Sequence, residues 1–270
     1  MLRYSAAKLA KRPKSTTAFI ETPPARLAAD MDYIVALRAM LKAFAAETRD
    51  GIIPLYAQER AQKRQQSGLT VDVDRMSFAR LHALSSALQR IATDTVNRIL
   101  NLEAKRHTDN FAATVKKAIG IDVRALVREE DLGEYLEAAI ARNVSLIKSL
   151  ADDVVRRVEQ TVIENSLAGN SVKTLRKALV EQYGITDRRA QTIARDQMGK
   201  FHADMDQIRQ QQAGIDEYEW RTVADERVRE RHRQLNGTVY KWGQSTGAEQ
   251  GLPPGKPVLC RCRARGVIVF

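Results

Sequence analysis

Cysteine is nearly absent: the chain of 270 residues holds two, Cys260 and Cys262, with a single residue between them. A pair so placed cannot staple a chain of this length, which excludes a secreted disulfide framework and points to a reducing compartment. Aromatic residues are scarce as well, at 6%, while Ala, Leu, Arg and Gln are common, a composition that suits long helices better than β-sandwiches. No apolar run approaches a membrane span, and the basic start Met1–Lys14 lacks the apolar core of a signal peptide. The expectation is a soluble, unprocessed chain. Missing too are a nucleophile elbow, a phosphate-cradling Gly loop and an acidic metal cluster, so none of these supports an enzymatic reading. Repeats of fixed length are absent, and low complexity is limited to Gln-rich patches such as Gln210–Gln212. Acids fall short of bases, leaving a net charge of +11, which favours polyanionic surroundings such as nucleic acid, or acidic protein partners.

What is present is enough apolar material, 44% of residues, to bury real cores. Residues 1–26 carry Arg3, Lys8, Lys11, Arg12, Lys14 and Arg26 against Glu21, with three prolines. They read as an extended basic arm, either a plain solvated tail or one that docks on phosphates or a partner. From Leu27 the apolar residues Leu27, Met31, Ile34, Leu37, Leu41 and Phe44 recur at helical spacing, predicting a helix to about Arg49. A short exposed helix over 58–66 follows, ended by Ser67-Gly68. Asp74 can cap a long helix with Phe78, Leu81, Leu84, Leu88, Ile91, Ile99 and Leu102 on one face, and a separate unit spans Thr108–Ile119. The longest helix is expected over 129–167, with Leu150, Val154, Val158 and Val162 inward. Two more follow, Val172–Gln182 and one opened by Thr186 and stopped by Gly214. His82, His107 and His202 fall on these helices and read as solvated or structural residues.

At Ile215 the period changes. Tyr218, Trp220 and Thr222 alternate with Glu217, Glu219 and Arg221, which is strand spacing. A helix is expected over Asp225–Leu235, a tight turn at Asn236-Gly237, a strand over Thr238–Trp242, a Gly-, Ser- and Pro-rich loop over 243–257 and a last strand at Gly266–Phe270. The fold class is mainly α: a basic arm (1–26), a helical scaffold region (27–189) and a small α+β C-terminal domain (190–270) with a short antiparallel sheet.

The C-terminal domain carries the chemically dense residues. On a helix from Asp225, intervals of three and four bring Asp225, Arg229 and His232 to one side. Arg227, Arg229, Arg231, Arg233, Arg261, Arg263 and Arg265 are candidates for contact with phosphate or an acidic partner; the plain alternative is a surface helix whose Arg residues pair with Glu219, Glu226 and Glu230. His232, Cys260, Cys262 and Asp225 are all zinc-ligand types, yet Cys-x-Cys is tighter than the usual structural zinc spacing. Buried reduced thiols beneath Trp220 or Trp242 are the competing reading, and a disulfide between residues two apart meets a geometric objection. The chain is read as a non-enzyme without cofactor, zinc being the one candidate metal. The alternative is a metal-dependent nuclease or effector domain centred on Asp225, His232, Cys260 and Cys262, with His232 as general base or metal ligand.

The series Ala194-Arg195-Asp196, Gly214-Ile215, then Tyr218, Trp220, Thr222, Asp225, Arg227, Arg229, His232, Leu235 and Gly237, and finally Pro254-Gly255 before Cys260-Arg261-Cys262, resembles the Mu F-like minor head proteins of tailed bacteriophages over residues 190–265. The sequence departs from that pattern at Asp196-Gln197, where a Thr-Glu pair is expected. The resemblance implies a virion component of head morphogenesis at the portal vertex, found in the phage head and, during assembly, in the host cytoplasm. It further implies a portal protein as partner, with the major capsid or a scaffolding protein as further candidates. Combined with the charge, it suggests non-specific contact with double-stranded DNA. Trp220, Asp225, His232, Gly237, Cys260 and Cys262 are expected to hold the domain in shape.

Overall fold

A computed structural model describes residues 4–22, 27–65, 75–127, 132–223 and 225–270. Seven α-helices and four strands follow in the described chain: α1 (Ala6–Leu9), β1 (Thr17–Ile20), α2 (Leu27–Glu47), α3 (Ile53–Gln65), α4 (Arg75–Ile119), α5 (Gly133–Leu167), α6 (Val172–Gln212), β2 (Glu217–Arg221), α7 (Glu230–Gln234), β3 (Val239–Lys241) and β4 (Arg263–Val269). The protein is mainly α with a small antiparallel sheet, as its composition and periodicity predict. Arg3, Arg26, the stop at Ser67-Gly68, the Asp74 cap and the helix start at Glu129 lie outside the described residues. Among those described, no helix is long and apolar enough to cross a membrane.

Two predicted helix breaks are not there. α4 runs through Thr108 and α6 through Thr186, and in each the threonine hydroxyl donates to the carbonyl four residues back, Ala104 at 2.9 Å and Gln182 at 2.9 Å. A β-hydroxyl can cap a new helix or bond back into an existing one, and here it does the second. α4, at 45 residues, is therefore the longest helix, ahead of α5 at 35. Its buried stripe uses Ala92, Val96 and Leu100, and the expected Ile91 and Leu102 face outward. On α2, Met31 is likewise exposed while Tyr33 is fully buried.

Contacts sort the chain into two compact units that cut across the compositional boundaries at 26 and 189. The second unit, Met31–Arg98 with Ile140–Ala194, is helical. Within it the buried Tyr33 hydroxyl donates to Asn143 Oδ1 at 2.6 Å, the Tyr56 hydroxyl lies 3.0 and 2.8 Å from the carbonyls of Asn165 and Asn170, and half-buried Arg38 grips Asp187 with two bonds of 2.7 and 2.9 Å.

The first unit, Met1–Asp30, Ile99–Ala139 and Arg195–Phe270, holds the sheet, whose order is β1-β4-β2-β3. Register sets Trp220 opposite Ala264, Tyr218 opposite Gly266 and Tyr240, and Ala18 opposite Ile268. Alternation then gathers Ala18, Ile20, Tyr218, Trp220, Ala264, Gly266 and Ile268 on one face, all of them buried. The other face carries Phe19, Glu219 and Arg265. There Arg265 pairs with Glu219 and lies over the Phe19 ring at 4.1 Å. Ile20 and Ile268 pack with Phe111, Val115, Ile119, Ala213 and Ile215 in one core.

The N-terminal segment is accordingly not an extended arm. It contributes α1 and β1, and Arg12 donates to the Ala118 carbonyl at 2.7 Å. Gln210, in a stretch read as low complexity, is buried: its Nε2 donates to the Ala264 carbonyl at 2.9 Å and its Oε1 accepts from Trp242 Nε1 at 3.2 Å. A Cβ on Gly266 would stand 3.0 Å from Gln210 Oε1, so this close approach of α6 to β4 favours glycine there.

Because Ile20 is a core residue of a strand and not part of a tail, Ile20→Ala is expected to cost about 2–5 kcal/mol, the usual range for truncating a buried Ile. Chemical denaturation followed by circular dichroism reads the loss; a tail residue would show none.

Candidate functional site

The dense C-terminal residues gather around Trp220, which is fully buried and packs with Val228, Ala248, Cys260 and Cys262. The chain enters β4 extended through Cys260-Arg261-Cys262, so side chains alternate sides. Both thiols turn inward and Arg261 turns out to grip Asp225 with two bonds of 2.5 and 2.6 Å. That contact holds the Asp225 carboxyl below the usual carboxylate range. The tight Cys-x-Cys spacing is thus what sets the two sulfurs side by side.

His232 comes to them on α7. Its ring meets the Trp220 indole edge-on with centroids 5.3 Å apart, and its Nδ1 lies 3.5 Å from Cys260 Sγ and 3.6 Å from Cys262 Sγ. On the far side, Nε2 lies 2.6 Å from Glu249 Oε2. A carboxylate only accepts, so in the neutral ring Nε2 carries the hydrogen and Nδ1 turns its lone pair to the sulfurs. The same bond keeps Glu249 below its ordinary range. A hydrogen bond between the thiols favours one thiolate in the pair: it lowers Cys260 and raises Cys262.

The loop before Cys260 is fastened at several points. Gly255, at φ +84°, donates its N–H to Cys260 Sγ at 3.4 Å, and a Cβ there would come within 2.6 Å of Ala203 on α6. Only glycine satisfies both demands. Leu259 takes a left-handed φ of 54°, a conformation stabilised where Asp196 of α6 accepts its N–H at 2.9 Å. Arg229 Nη2 donates to the Val258 carbonyl at 2.7 Å, and Lys256 pairs with Asp204. Asp196 therefore has a structural task at the position where the sequence departs from the Mu F-like pattern.

Several sequence expectations change here. α7 spans Glu230–Gln234 alone, so Asp225 sits in the preceding turn, with Arg261, and does not converge with His232. The acid beside His232 is Glu249, seventeen positions on in the Gly- and Ser-rich loop, where no periodicity pointed to it. Gly237 does make its turn, at φ +84°, and donates to the Trp220 carbonyl at 2.8 Å. Of the seven arginines, Arg229 contacts Glu249, Arg231 donates to the Gly247 carbonyl, Arg233 bonds Glu230, Arg261 holds Asp225, and Arg265 reaches Glu219 and Glu21. Arg263 is partly buried, and burial lowers its pKa. Arg227 is exposed.

A cavity of about 590 Å³ opens onto His232, Cys260 and Cys262, with Arg195, Arg227 and Arg229 among its walls. Two titratable groups in its lining have opposed shifts. Burial pushes Asp30 up to about 6 against the pull of Arg195. Burial, with the neighbouring His107 and Arg263, holds His202 well below the ordinary histidine value. His107 and His202 are buried structural residues, the former 2.7 Å from Asp206, whereas His82 is exposed beside Glu159.

The sign of each effect follows from which state binds the proton more readily. Unfolded His202 takes up a proton below about pH 6.5 that the folded state refuses, so its contribution is present at neutral pH and lost as pH falls. Folded Asp30 binds a proton from about pH 6 downward, before the unfolded state does, and so offsets part of that loss. Urea denaturation across pH 4–7 should show a shallower acid-side decline for His202→Gln than for the native chain, and a steeper one for Asp30→Asn. Parallel profiles would contradict both assignments.

Residues 156–265 match the family described as "Phage Mu protein F like protein". An uncharacterized protein of Haemophilus influenzae is 31% identical over 179 residues, which cover 66% of this chain and 39% of that protein. The chain thus spans well under half the length of that relative. No solved structure matches the chain. The matched segment contains α7, the thiol pair and the Asp196 fastening, so over residues 156–265 the chain is similar to the phage Mu protein F like family.

Proposed function

We propose that the protein is a minor head protein of a tailed phage, acting non-catalytically in head morphogenesis at the portal vertex and touching packaged double-stranded DNA without sequence preference. The observation that carries this reading is the family match over 156–265. It spans both the C-terminal module and the part of α5 and α6 leading into it. The net charge of +11 adds the electrostatic ground for phosphate contact, which is salt-dependent and blind to sequence. Portal protein is the first partner, with major capsid or scaffolding protein next.

The structure refines which arginines suit such contacts. Arg261 and Arg265 are spent on Asp225, Glu219 and Glu21, and neutralised charges give little to a polyanion. Arg227 and Arg231 are exposed, and among the described residues Arg231 bonds a carbonyl, which leaves its charge available, whereas Arg233 is paired with Glu230. The geometry also weakens a nuclease centred on Asp225, His232, Cys260 and Cys262, because Asp225 is occupied by Arg261 and stands apart from the other three.

Duplex binding measured against salt should give a negative slope of log affinity on log salt. Replacing Arg227 and Arg231 together by Gln should reduce that slope by about 2, given roughly 0.9 per phosphate contact. An unchanged slope would remove DNA contact from these residues. Loss of co-purification with portal from assembled heads, tested by deleting residues 190–270, probes the portal assignment separately; full retention would overturn it for this region.

A further inference from the structure

We propose that His232, Cys260 and Cys262 form a zinc-binding site, with His232 Nδ1 and the two thiolates as ligands and the fourth position open to the adjoining cavity. The three donor atoms lie within 4.8 Å of one another and all three residues are buried. Zinc–thiolate and zinc–imidazole bonds of about 2.3 and 2.05 Å at a tetrahedral angle place sulfur and nitrogen roughly 3.6 Å apart. The structure holds Nδ1 3.5 and 3.6 Å from the two sulfurs, the edge lengths such an ion requires.

Hydrogen bonding alone does not explain the arrangement as well. Nδ1 has one lone pair, and two thiols stand at equal distance from it, so at most one can be fully satisfied. A metal takes up that lone pair and both sulfurs together. The surroundings are those of a metal ligand set as well. Glu249 fixes the Nε2–H form of His232, and a carboxylate behind the imidazole is the usual outer partner of a metal-bound histidine. The Gly255 N–H points at Cys260 Sγ, and the buried Trp220 indole lies beside Cys262 in the same cluster; such N–H groups stabilise thiolates once their protons have left. Thiolate and imidazole together select zinc over the hard oxygen-seeking cations.

Binding releases the thiol protons to solvent, and the ion remains Zn²⁺ with no change of oxidation state. Three protein ligands leave one position, and because all three line the cavity a solvent oxygen can complete the tetrahedron. The ion would tie α7 to the start of β4 across 28 and 30 residues of chain. Affinity for it becomes stability of the module. The site stands on this geometry alone and does not depend on the phage-head reading.

The test uses the tag-free full chain, stripped with a chelator and then titrated with Zn²⁺ or Co²⁺. The expected result is about one zinc per chain by elemental analysis, a thiolate-to-cobalt charge-transfer absorption with the strong visible bands of a tetrahedral ion, and a rise in melting temperature on adding zinc back. Cys260→Ser and Cys262→Ser should abolish the charge-transfer intensity or halve it, and Glu249→Gln should weaken zinc 10–100-fold while leaving the ligand set intact. Should a cysteine variant fail to fold, stripping and reloading the native chain still decides the matter. A folded native chain that takes up no stoichiometric metal and shows no cobalt–thiolate absorption overturns the proposal.

Discussion

Strand β4 is paired on both edges, with β1 on one side and β2 on the other, and its two-residue alternation decides where the reactive side chains of the C-terminal region go. Ala264, Gly266 and Ile268 face the buried side, and continuing the same alternation backwards through 262 and 260 brings both thiols in beneath Trp220. A register slip by one would invert all of this at once, exposing the thiols and burying Arg261 and Arg265. The slip is opposed from two directions. Gly266 lets Gln210 of α6 come close enough to bond the Ala264 carbonyl, and Arg265 finds its carboxylate directly across the ladder in Glu219.

The arginine-rich composition acquires a different meaning in this light. A basic sequence invites the reading that every Arg waits for a phosphate. Arg229 instead fixes the Val258 carbonyl, Arg261 secures the turn at Asp225, and Arg265 joins three strands through Phe19, Glu219 and Glu21. An exposed ion pair adds little stability by itself. These pairs matter through what they position, since the segment 254–262 has almost no regular structure of its own and is located by side chains from α6 and the turn at 225–229.

The sequence disclosed the fold class, most helices, β2 and β3, and it singled out His232, Cys260 and Cys262, which the structure brings together, because those rest on local periodicity and on residue type. It did not disclose β1: four residues with two buried positions, beside prolines and lysines, resemble a tail, and their partner strand lies about 250 positions away. The continuity of α4 and α6 was hidden for a local reason, since Thr108 and Thr186 have hydroxyls equally suited to starting a helix or bonding back into one. Glu249 was hidden for a tertiary one. It lies in an irregular turn where Gln250 has φ 56°, and nothing in the spacing of a loop says which of its side chains turns inward. Asp196 shows the reverse limit: a residue that departs from the family pattern still supports the site, by accepting the N–H of the strained Leu259.

The family-matched segment ends at residue 265, yet the sheet does not. Val267, Ile268 and Val269 pair with Phe19, Ala18 and Thr17, and the core beneath them takes Phe111, Val115 and Ile119 from the C-terminal end of α4. The matched residues alone would leave one edge of β4 with unpaired backbone groups and an apolar face without its helix, a combination that invites association with other chains. The module that carries His232 and the thiols is therefore completed by the opposite end of the chain. Any change that frees β1 should be felt at Cys262 through β4, which pairs with β1 and begins one residue after Cys262. This gives a physical reason for the N-terminal segment to be ordered before the C-terminal site is.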